Sequence, residues 1–305
     1  MGRALRAVAL SAVIAAAITA CGGGGDGGSG TGSGSTAVPT VSSAAAGTAK
    51  YGQKVLLTVN GSHLDTGLAV AASGCSAVTL STVAPLASNA TTAYYQCVVS
   101  AVGTGQFVLT RSSDGAALAS TPFTASVPQV TMNVSNGAGV SGTIVVTLAP
   151  DKTPVTVDNF LAYVNAGFYD GTVIHRVSPG FVIQGGGYVA PVTTDTPTAK
   201  PTSAPIALEV NKGLSNTQWT IAMARTSAPA SATSQFFINL VDNSATLDPS
   251  VLNGAGYAVF GAVTGGTGAV TGIVGAPCTA IPFFLPTGEC TPSPNVVITS
   301  AVQTQ

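Results

Sequence analysis

Residues 172–187 read TVIHRVSPGFVIQGGG. Two short apolar runs flank Ser-Pro-Gly, residue types that favour a turn, and the second run ends in three consecutive glycines. The first run contains Arg176, although charged residues are rarely found among apolar neighbours unless other groups hold them. Because the chain has only ten Lys and Arg residues among its 305, an arginine at this place needs a specific explanation.

The first apolar run predicts a β-strand. Its alternation places Val173, His175 and Val177 on one face of the strand. The same alternation places Ile174 and Arg176 on the other face. We interpret His175 as a structural residue of this strand.

The segment before this strand, TPVTVDNFLAYVNAGFYDG (153–171), predicts a helix. Thr153 can cap its N-terminus, and Pro154 suits its first position. Gly167 suits the position just beyond its end. Four apolar residues have the spacing of one buried helix face: Val157, Phe160, Leu161 and Val164.

Further short apolar segments surround this helix and strand. The first two predict a hairpin, and several of the others lack alternation, which is typical of strands in a closed sheet or strands buried on both faces. The segments are TMNVSN (131–136), SGTIVVTLAP (141–150), NTQWTIAMAR (216–225), SATSQFFINL (231–240) and YAVFGAV (257–263). We expect Trp219, in the third of these, to belong to the core.

Four motifs, in order and with characteristic spacing, resemble the cyclophilins, a family of peptidyl-prolyl cis–trans isomerases. They are NFLAYVNAGFYDGTVIHRVSPGFVIQGGG (159–187), GLSNTQWTIAMAR (213–225), SATSQFFINL (231–240) and YAVFGAV (257–263). The similarity is greatest to the bacterial periplasmic members, and it assigns residues 128–305 to one isomerase domain. It implies an eight-stranded antiparallel β-barrel capped by two helices, the second within GTGAVTGIVG (266–275).

The resemblance also implies a catalytic mechanism. A prolyl amide is held planar by resonance, and a cationic donor aimed at its nitrogen stabilises the twisted form, in which that nitrogen gains a lone pair. The resemblance gives this role to Arg176 and makes Gln184 the groove residue that orients it. Arginine suits the role because it stays protonated and carries a rigid set of donors. The positions that match the family's substrate-binding residues are Phe181, Val182, Ala224, Phe237, Leu247 and Tyr257.

The chain departs from common family patterns at four places. Thr246 precedes Leu247-Asp248 where many members have a tryptophan, which implies weak binding of cyclosporin. Tyr257 replaces the histidine of eukaryotic members, Val182 replaces a common methionine, and Arg225-Thr226 replaces a common Asn-Ala pair. The cation and its orienting glutamine are present, so we expect activity.

The N-terminus predicts export. Residues 1–20 have two arginines, a short apolar run and small residues before Cys21, as in a bacterial lipoprotein signal peptide. Cys21 is then the lipidated residue, and residues 21–37 form a Gly/Ser tether. We expect attachment to the membrane through this lipid only, in the periplasm and at the outer membrane. An ordinary signal peptide with a chance cysteine is the alternative.

Residues 38–127 show short β-branched and aromatic segments separated by Gly, Asn and Ser. This pattern favours a small β-sandwich, immunoglobulin-like in its opening YGQKVLLTVNGSHL (51–64). No catalytic motif is present there, so we interpret the region as a spacer or a binding domain. His63 is better explained as a surface turn residue than as a metal ligand.

Four cysteines remain when Cys21 is set aside, and an oxidising compartment favours disulfides. Three connectivities are possible. Local pairs are favoured, because each pair then lies within one domain: Cys75 with Cys97, and Cys278 with Cys290. The second pair encloses CTAIPFFLPTGEC (278–290), which is either a structural loop or a surface that contacts clients.

Composition excludes some functions. Charged residues make up 7 % of the chain and the formal net charge is −1, which argues against nucleic-acid binding. No metal or other cofactor is expected, and the partners predicted are proline-containing polypeptides, bound by a monomer. Two other hypotheses remain: a low-turnover binder of proline-containing segments, and an envelope scaffold that acts through residues 38–127.

Overall fold

The computed structural model describes residues 37–305, except residues 251, 253 and 282–284. The predicted signal peptide, the lipidation site Cys21 and nearly all of the tether lie outside the described residues. Within the described part of the chain, no helix is both long enough and apolar enough to cross a bilayer.

The N-terminal region contains two antiparallel sheets. Its strands are β1 (Thr40–Ala46), β2 (Lys54–Ser62), β3 (Leu68–Ser73), β4 (Thr79–Leu80), β5 (Thr92–Val98), β6 (Gly103–Arg111) and β7 (Ala117–Ala125). One sheet has the order β1-β2-β5-β4 and the other has the order β3-β6-β7.

Side chains from both of these sheets meet in one apolar cluster. Alternation explains which residues enter it: in β2, Val55, Leu57 and Val59 are buried while their neighbours are more exposed. A disulfide between Cys75 and Cys97 joins the segment after β3 to β5. The local pairing expected for these two cysteines is present.

The C-terminal region contains the remaining elements. They are β8 (Gln129–Ser135), β9 (Ser141–Leu148), α1 (Pro154–Asn165), β10 (Thr172–Ser178), β11 (Val182–Val189), β12 (Thr220–Met223), β13 (Phe236–Asn239), α2 (Ser244–Leu247), β14 (Val259–Gly265), α3 (Thr267–Val274), β15 (Cys278–Thr279), β16 (Thr291–Pro292) and β17 (Val296–Gln303).

Eight of these strands close into an antiparallel barrel with the order β10-β11-β13-β12-β14-β9-β8-β17. The prediction of an eight-stranded barrel is therefore confirmed. The helices α1 and α3 correspond to the two that the sequence predicts, and the described residues add the single-turn helix α2. The barrel is filled by an apolar core to which α1 contributes its buried face.

The N-terminus of α1 differs from the prediction in one detail. Thr153 makes no capping hydrogen bond with its side chain. Instead, the backbone amides of Val155 and Thr156 donate to the carboxylate of Glu209, at 3.3 and 2.8 Å. A carboxylate is the stronger partner here, because its full charge interacts favourably with the positive end of the helix dipole.

Strand β10 also departs from simple alternation. Ile174 pairs with Gly185 and Arg176 pairs with Gln184, so the register shifts between them. This bulge breaks the two-residue period, and Ile174 and Val177 both enter the barrel core. The predicted grouping of Ile174 with Arg176 on one face is therefore wrong. The bulge allows Arg176 to lie outside the core that its neighbours fill.

The three glycines of β11 allow the barrel to pack closely. A Cβ atom on Gly185 would lie 2.6 Å from Ile174, and one on Gly186 would lie 2.8 Å from the ring of Tyr169. A Cβ on Gly187 would lie 2.5 Å from the side chain of Gln235. These distances are shorter than van der Waals contact, so the backbone of β11 lies against side chains that leave no space for a larger residue.

The N-terminal region packs directly against the barrel. Tyr51 belongs to the barrel core and is 4 % exposed. The side chain of Gln303, in β17, donates to the carbonyl of Tyr51 at 2.9 Å and accepts from Gln53 at 2.8 Å. Residues 37–305 accordingly form one compact unit.

Gly186→Ala should destabilise the protein more than Gly171→Ala. Both glycines have φ of +82°, but a Cβ on Gly171 would have no neighbour within 4 Å. The left-handed backbone alone costs an alanine about 1–2 kcal/mol, and overpacking adds about 1–3 kcal/mol at Gly186. Urea unfolding of the two variants measures this difference, and equal losses of stability would show that Tyr169 and Phe236 do not confine Gly186.

Candidate functional site

A groove with a volume of about 160 Å³ lies on the outside of the barrel. Its lining comes from β10, β11, β13 and α2, from the turn before β11, and from the segments that follow β12 and precede β14. The lining residues are Arg176, Phe181, Val182, Gln184, Ala224, Arg225, Phe237, Leu247 and Tyr257.

Arg176 is held by a chain of polar side chains along one wall of the groove. Its Nη1 donates to Oε1 of Gln184 at 2.9 Å, and Nε2 of Gln184 donates to Oε1 of Gln235 at 2.9 Å. The pairing of β10 with β11 places Arg176 directly opposite Gln184. The orientation of the guanidinium is therefore fixed by the register of two neighbouring strands.

A second group binds the other edge of this guanidinium. Glu289 accepts hydrogen bonds from Nε and Nη2 of Arg176, each at 2.5 Å. The arginine and glutamate side chains are 22 % and 10 % exposed, so the ion pair is largely shielded from water. Shielding and two parallel bonds both strengthen such a pair.

The opposite walls of the groove are apolar. Val182, Phe237 and Leu247 belong to a small cluster that is separate from the barrel core. Phe181 and Tyr257 pack against this cluster, and the Tyr257 ring meets Phe237 edge to face, with 5.4 Å between ring centroids. These walls fit a small apolar ring.

Hydrogen bonds hold the far end of the groove in place. The carboxylate of Asp248 accepts from the backbone amide and the side chain of Asn216, both at 2.8 Å. Asp248 is the C-cap residue that directly follows Leu247, the last residue of helix α2. This network therefore fixes the wall that Leu247 forms.

Arg225 provides a second guanidinium at the rim. Its Nε donates to the carbonyl of Gly256 at 2.9 Å and its Nη1 donates to the carbonyl of Thr226 at 2.8 Å. The guanidinium lies over the ring of Tyr257, 4.6 Å from its centroid, a cation–π geometry. Arg225 thus carries positive charge to the edge of the groove beside Tyr257.

The arrangement combines one oriented cationic donor with a small apolar recess. Such a recess can bind an apolar ring, while the donor can form a hydrogen bond with a polar atom of that ring or next to it. Polar chemistry of this kind needs no covalent step, because a fixed donor stabilises charge or a lone pair where it develops.

All eight residues predicted for catalysis and substrate binding line this one groove. The sequence predicted no role for the side chains of Arg225, Gln235 and Glu289. Gln235 lies within the motif SATSQFFINL, which could have indicated it. Glu289 lies in the loop between Cys278 and Cys290, where no local pattern connects it to Arg176.

Two other predicted residues have structural positions. His175 is buried, and this burial, together with the neighbouring charge of Arg176, lowers its pKa to about 3. Its ring meets Tyr188 edge to face, with 4.8 Å between centroids. Trp219 packs, partly buried, against the barrel core. The Cys278–Cys290 disulfide is also present, as the local pairing predicts.

Comparison with known proteins agrees with this geometry. Residues 129–303 match the sequence profile described as "Cyclophilin type peptidyl-prolyl cis-trans isomerase/CLD". Peptidyl-prolyl cis-trans isomerase cyp18 of Streptomyces antibioticus is 51 % identical over 136 residues, which are 44 % of this chain and 79 % of that protein. Peptidyl-prolyl cis-trans isomerase B of Escherichia coli is 49 % identical over 135 residues, with the same two shares.

A crystal structure of a cyclophilin type peptidyl-prolyl cis-trans isomerase from Cryptosporidium parvum aligns with a TM-score of 0.43 and 20 % identity. The alignment covers 58 % of this chain and 98 % of that structure.

The barrel with its external groove and the profile match define the class: a β-barrel isomerase domain. The chain belongs to the cyclophilin-type peptidyl-prolyl cis–trans isomerases, as the four sequence motifs predict.

His175→Gln should make the protein less sensitive to acid. The folded-state pKa of about 3 lies below the ordinary value of 6.5. The stability that the neutral, buried His175 contributes is therefore complete above pH 6.5 and is lost as the pH falls from 6.5 towards 3. Between these limits the wild type should lose up to about 1.4 kcal/mol per pH unit more than the variant.

Urea unfolding of both proteins at pH 7, 6, 5 and 4 measures these slopes. The variant has its own stability at pH 7, so only the dependence on pH is compared. Parallel curves from pH 7 to 4 would show that His175 does not take up a proton on unfolding.

Proposed function

We propose that this chain accelerates the cis–trans isomerisation of X-Pro bonds in exported polypeptides, with Arg176 as the donor to the proline nitrogen. The observation that carries the proposal is a guanidinium fixed by neighbouring side chains at the wall of an apolar groove. No nucleophile or cofactor is needed for this reaction.

The chemistry explains why such a donor accelerates the reaction. Rotation about a prolyl amide faces a barrier of about 18–20 kcal/mol, because the planar form is stabilised by resonance. At the top of the barrier the resonance is lost and the proline nitrogen carries a lone pair. An N–H donor aimed at this lone pair interacts more strongly with the twisted amide than with either planar form, and this difference lowers the barrier.

The groove supports this assignment through its shape and polarity. Phe181, Phe237 and Leu247 offer apolar surface to a pyrrolidine ring, and Arg176 lies beside them, with its Cζ 6.0 Å from the centre of the Phe181 ring. A preformed recess holds the ring while the rest of the amide rotates. Gln184 keeps the guanidinium in position during that rotation.

A second recess adjoins the first, and Gln184, Ala224 and Arg225 line both. Its other walls carry the polar side chains Thr226, Ser231, Thr233 and Gln235. An extended polypeptide can therefore place its proline in the apolar recess and a preceding residue in the polar one. This supports binding of polypeptide segments rather than isolated proline.

We further propose that the enzyme is a monomeric lipoprotein of the bacterial envelope, anchored by Cys21 and facing the periplasm at the outer membrane. The sequence Ile18-Thr19-Ala20-Cys21 and the Gly/Ser segment after it support this location. The two disulfides are in keeping with an oxidising compartment. Its clients are then exported proteins, and residues 38–127 act as a spacer or as a binding domain.

Arg176→Ala should lower the isomerisation rate of a short Ala-Pro peptide at least tenfold, which corresponds to about 1.4 kcal/mol of transition-state stabilisation. The reason is loss of the donor, since the apolar walls remain. The measurement compares kcat/KM of the full chain and of the variant. Arg111→Ala is the matched control, because Arg111 lies in β6 and pairs with Asp114.

Two outcomes would contradict the proposed mechanism. Equal activity of the wild type and Arg176→Ala would remove Arg176 from the reaction. Binding of the peptide by the folded wild type without acceleration would favour the low-turnover binder.

Cys21→Ser should abolish lipid attachment while leaving isomerase activity unchanged, because the groove residues named above all lie between positions 176 and 257. Metabolic labelling with a radioactive fatty acid, followed by membrane fractionation, measures the attachment. Persistent labelling of the variant would contradict the assignment of Cys21. If residues 38–127 act as an envelope scaffold, cells that carry Arg176→Ala should behave like wild-type cells, because that variant keeps residues 38–127 intact.

A further inference from the structure

The carboxylate of Glu289 forms the most direct charged contact with Arg176. It binds the edge of the guanidinium formed by Nε and Nη2, with both distances at 2.5 Å, while Gln184 binds Nη1 at 2.9 Å. The three contacts approach the planar group from two sides. One hydrogen bond leaves a guanidinium able to rotate about it, whereas a bidentate pair on a second edge fixes its plane.

The backbone around Glu289 is held in place beside β10. Cys290, the next residue, exchanges two backbone hydrogen bonds with Val177, at 2.8 and 3.1 Å. The hydroxyl of Thr291 donates to the carbonyl of His175 at 2.6 Å. The disulfide to Cys278 adds a covalent restraint. Residues on both sides of Arg176 therefore anchor the segment that carries Glu289.

The geometry leaves part of the guanidinium available. Arginine has five N–H groups, and the contacts with Glu289 and Gln184 use three of them, one each on Nε, Nη1 and Nη2. Among the described residues, no acceptor binds the other N–H on Nη1 or the other N–H on Nη2. Glu289 is not among the residues that line the groove, so it holds Arg176 without occupying the recess.

We propose that Glu289 is a positioning residue for the isomerase reaction. It fixes the plane of the Arg176 guanidinium so that the two remaining N–H groups point at the prolyl amide. A carboxylate also offsets some of the positive charge of Arg176, which acts in the opposite direction. The effect on orientation outweighs the effect on charge. The proline nitrogen of the twisted amide is uncharged and carries a lone pair, which interacts with a directed N–H more than with the net charge of the donor group.

This inference rests on the proposed function, in which Arg176 is the donor. It assigns a role to the loop 278–290 that neither a purely structural loop nor a client-contacting loop provides. The loop places the carboxylate of Glu289 against the catalytic arginine from outside the barrel strands.

Glu289→Gln tests the proposal with little change in volume. The carboxamide has a single acceptor oxygen, and its NH₂ group faces a donor of Arg176, so the bidentate contact is lost. We expect kcat for an Ala-Pro peptide to fall about fivefold, with KM changed less than twofold, because the recess that binds the ring is intact. Thr287→Ala, an exposed position on the same loop, is the matched control and should keep wild-type values.

A double-mutant comparison separates positioning from general loss of structure. In an Arg176→Ala background, Glu289→Gln should cause no further loss of activity, since there is no guanidinium left to orient. A further fivefold loss in that background would overturn the proposal. A rise in kcat of the single variant would also overturn it, since the carboxylate would then restrain the cation rather than position it.

The wild type provides a test that needs no folded Glu289 variant. The Nε proton of Arg176, assigned in a ¹H–¹⁵N spectrum by its loss in Arg176→Ala, should exchange slowly with water because Glu289 binds it. Rapid exchange at the rate of exposed arginines would overturn the proposal. These results differ from failure of the proposed function itself, which would appear as full activity of Arg176→Ala.

Discussion

The pairing of Arg176 with Gln184 across strands β10 and β11 is the interaction on which the site depends. A guanidinium beside an apolar groove is costly to hold unless its donors are satisfied. Here the strand register brings the glutamine to the arginine, and a bulge in β10 turns the arginine away from the core that its neighbours fill. The barrel therefore serves mainly as a rigid frame for one cation.

That frame depends on close packing where β11 follows the pairing. The glycines after Gln184 allow Tyr169, Phe236 and Gln235 to approach the backbone, and Gln235 in turn accepts a hydrogen bond from Gln184. The glycines of β11 thus support the polar chain that begins at the neighbouring Gln184. The packing of Gln235 against β11 therefore contributes both to the stability of the barrel and to the orientation of Gln184 and Arg176.

Local periodicity was enough to predict α1, whereas the barrel, the second helix and the groove residues were predicted from the four motifs that resemble the cyclophilins. Both kinds of prediction failed where the partner is distant. Glu209 rather than Thr153 binds the start of α1, and Glu289 reaches Arg176 from a loop over a hundred residues away. Among the short β-branched segments of residues 38–127, SAVTLSTV (76–83) forms a strand only at Thr79–Leu80, since neighbours decide whether a short apolar run joins a sheet.

Because Tyr51 lies in the barrel core, the unit that folds together is larger than the domain that the family match covers. The family match begins at residue 129, but the barrel core already includes the ring of Tyr51, and Gln303 binds the backbone there. A fragment cut at the family boundary would expose apolar surface and lose partners of its last strand. Folding of the barrel is thus coupled to folding of the N-terminal region through these contacts.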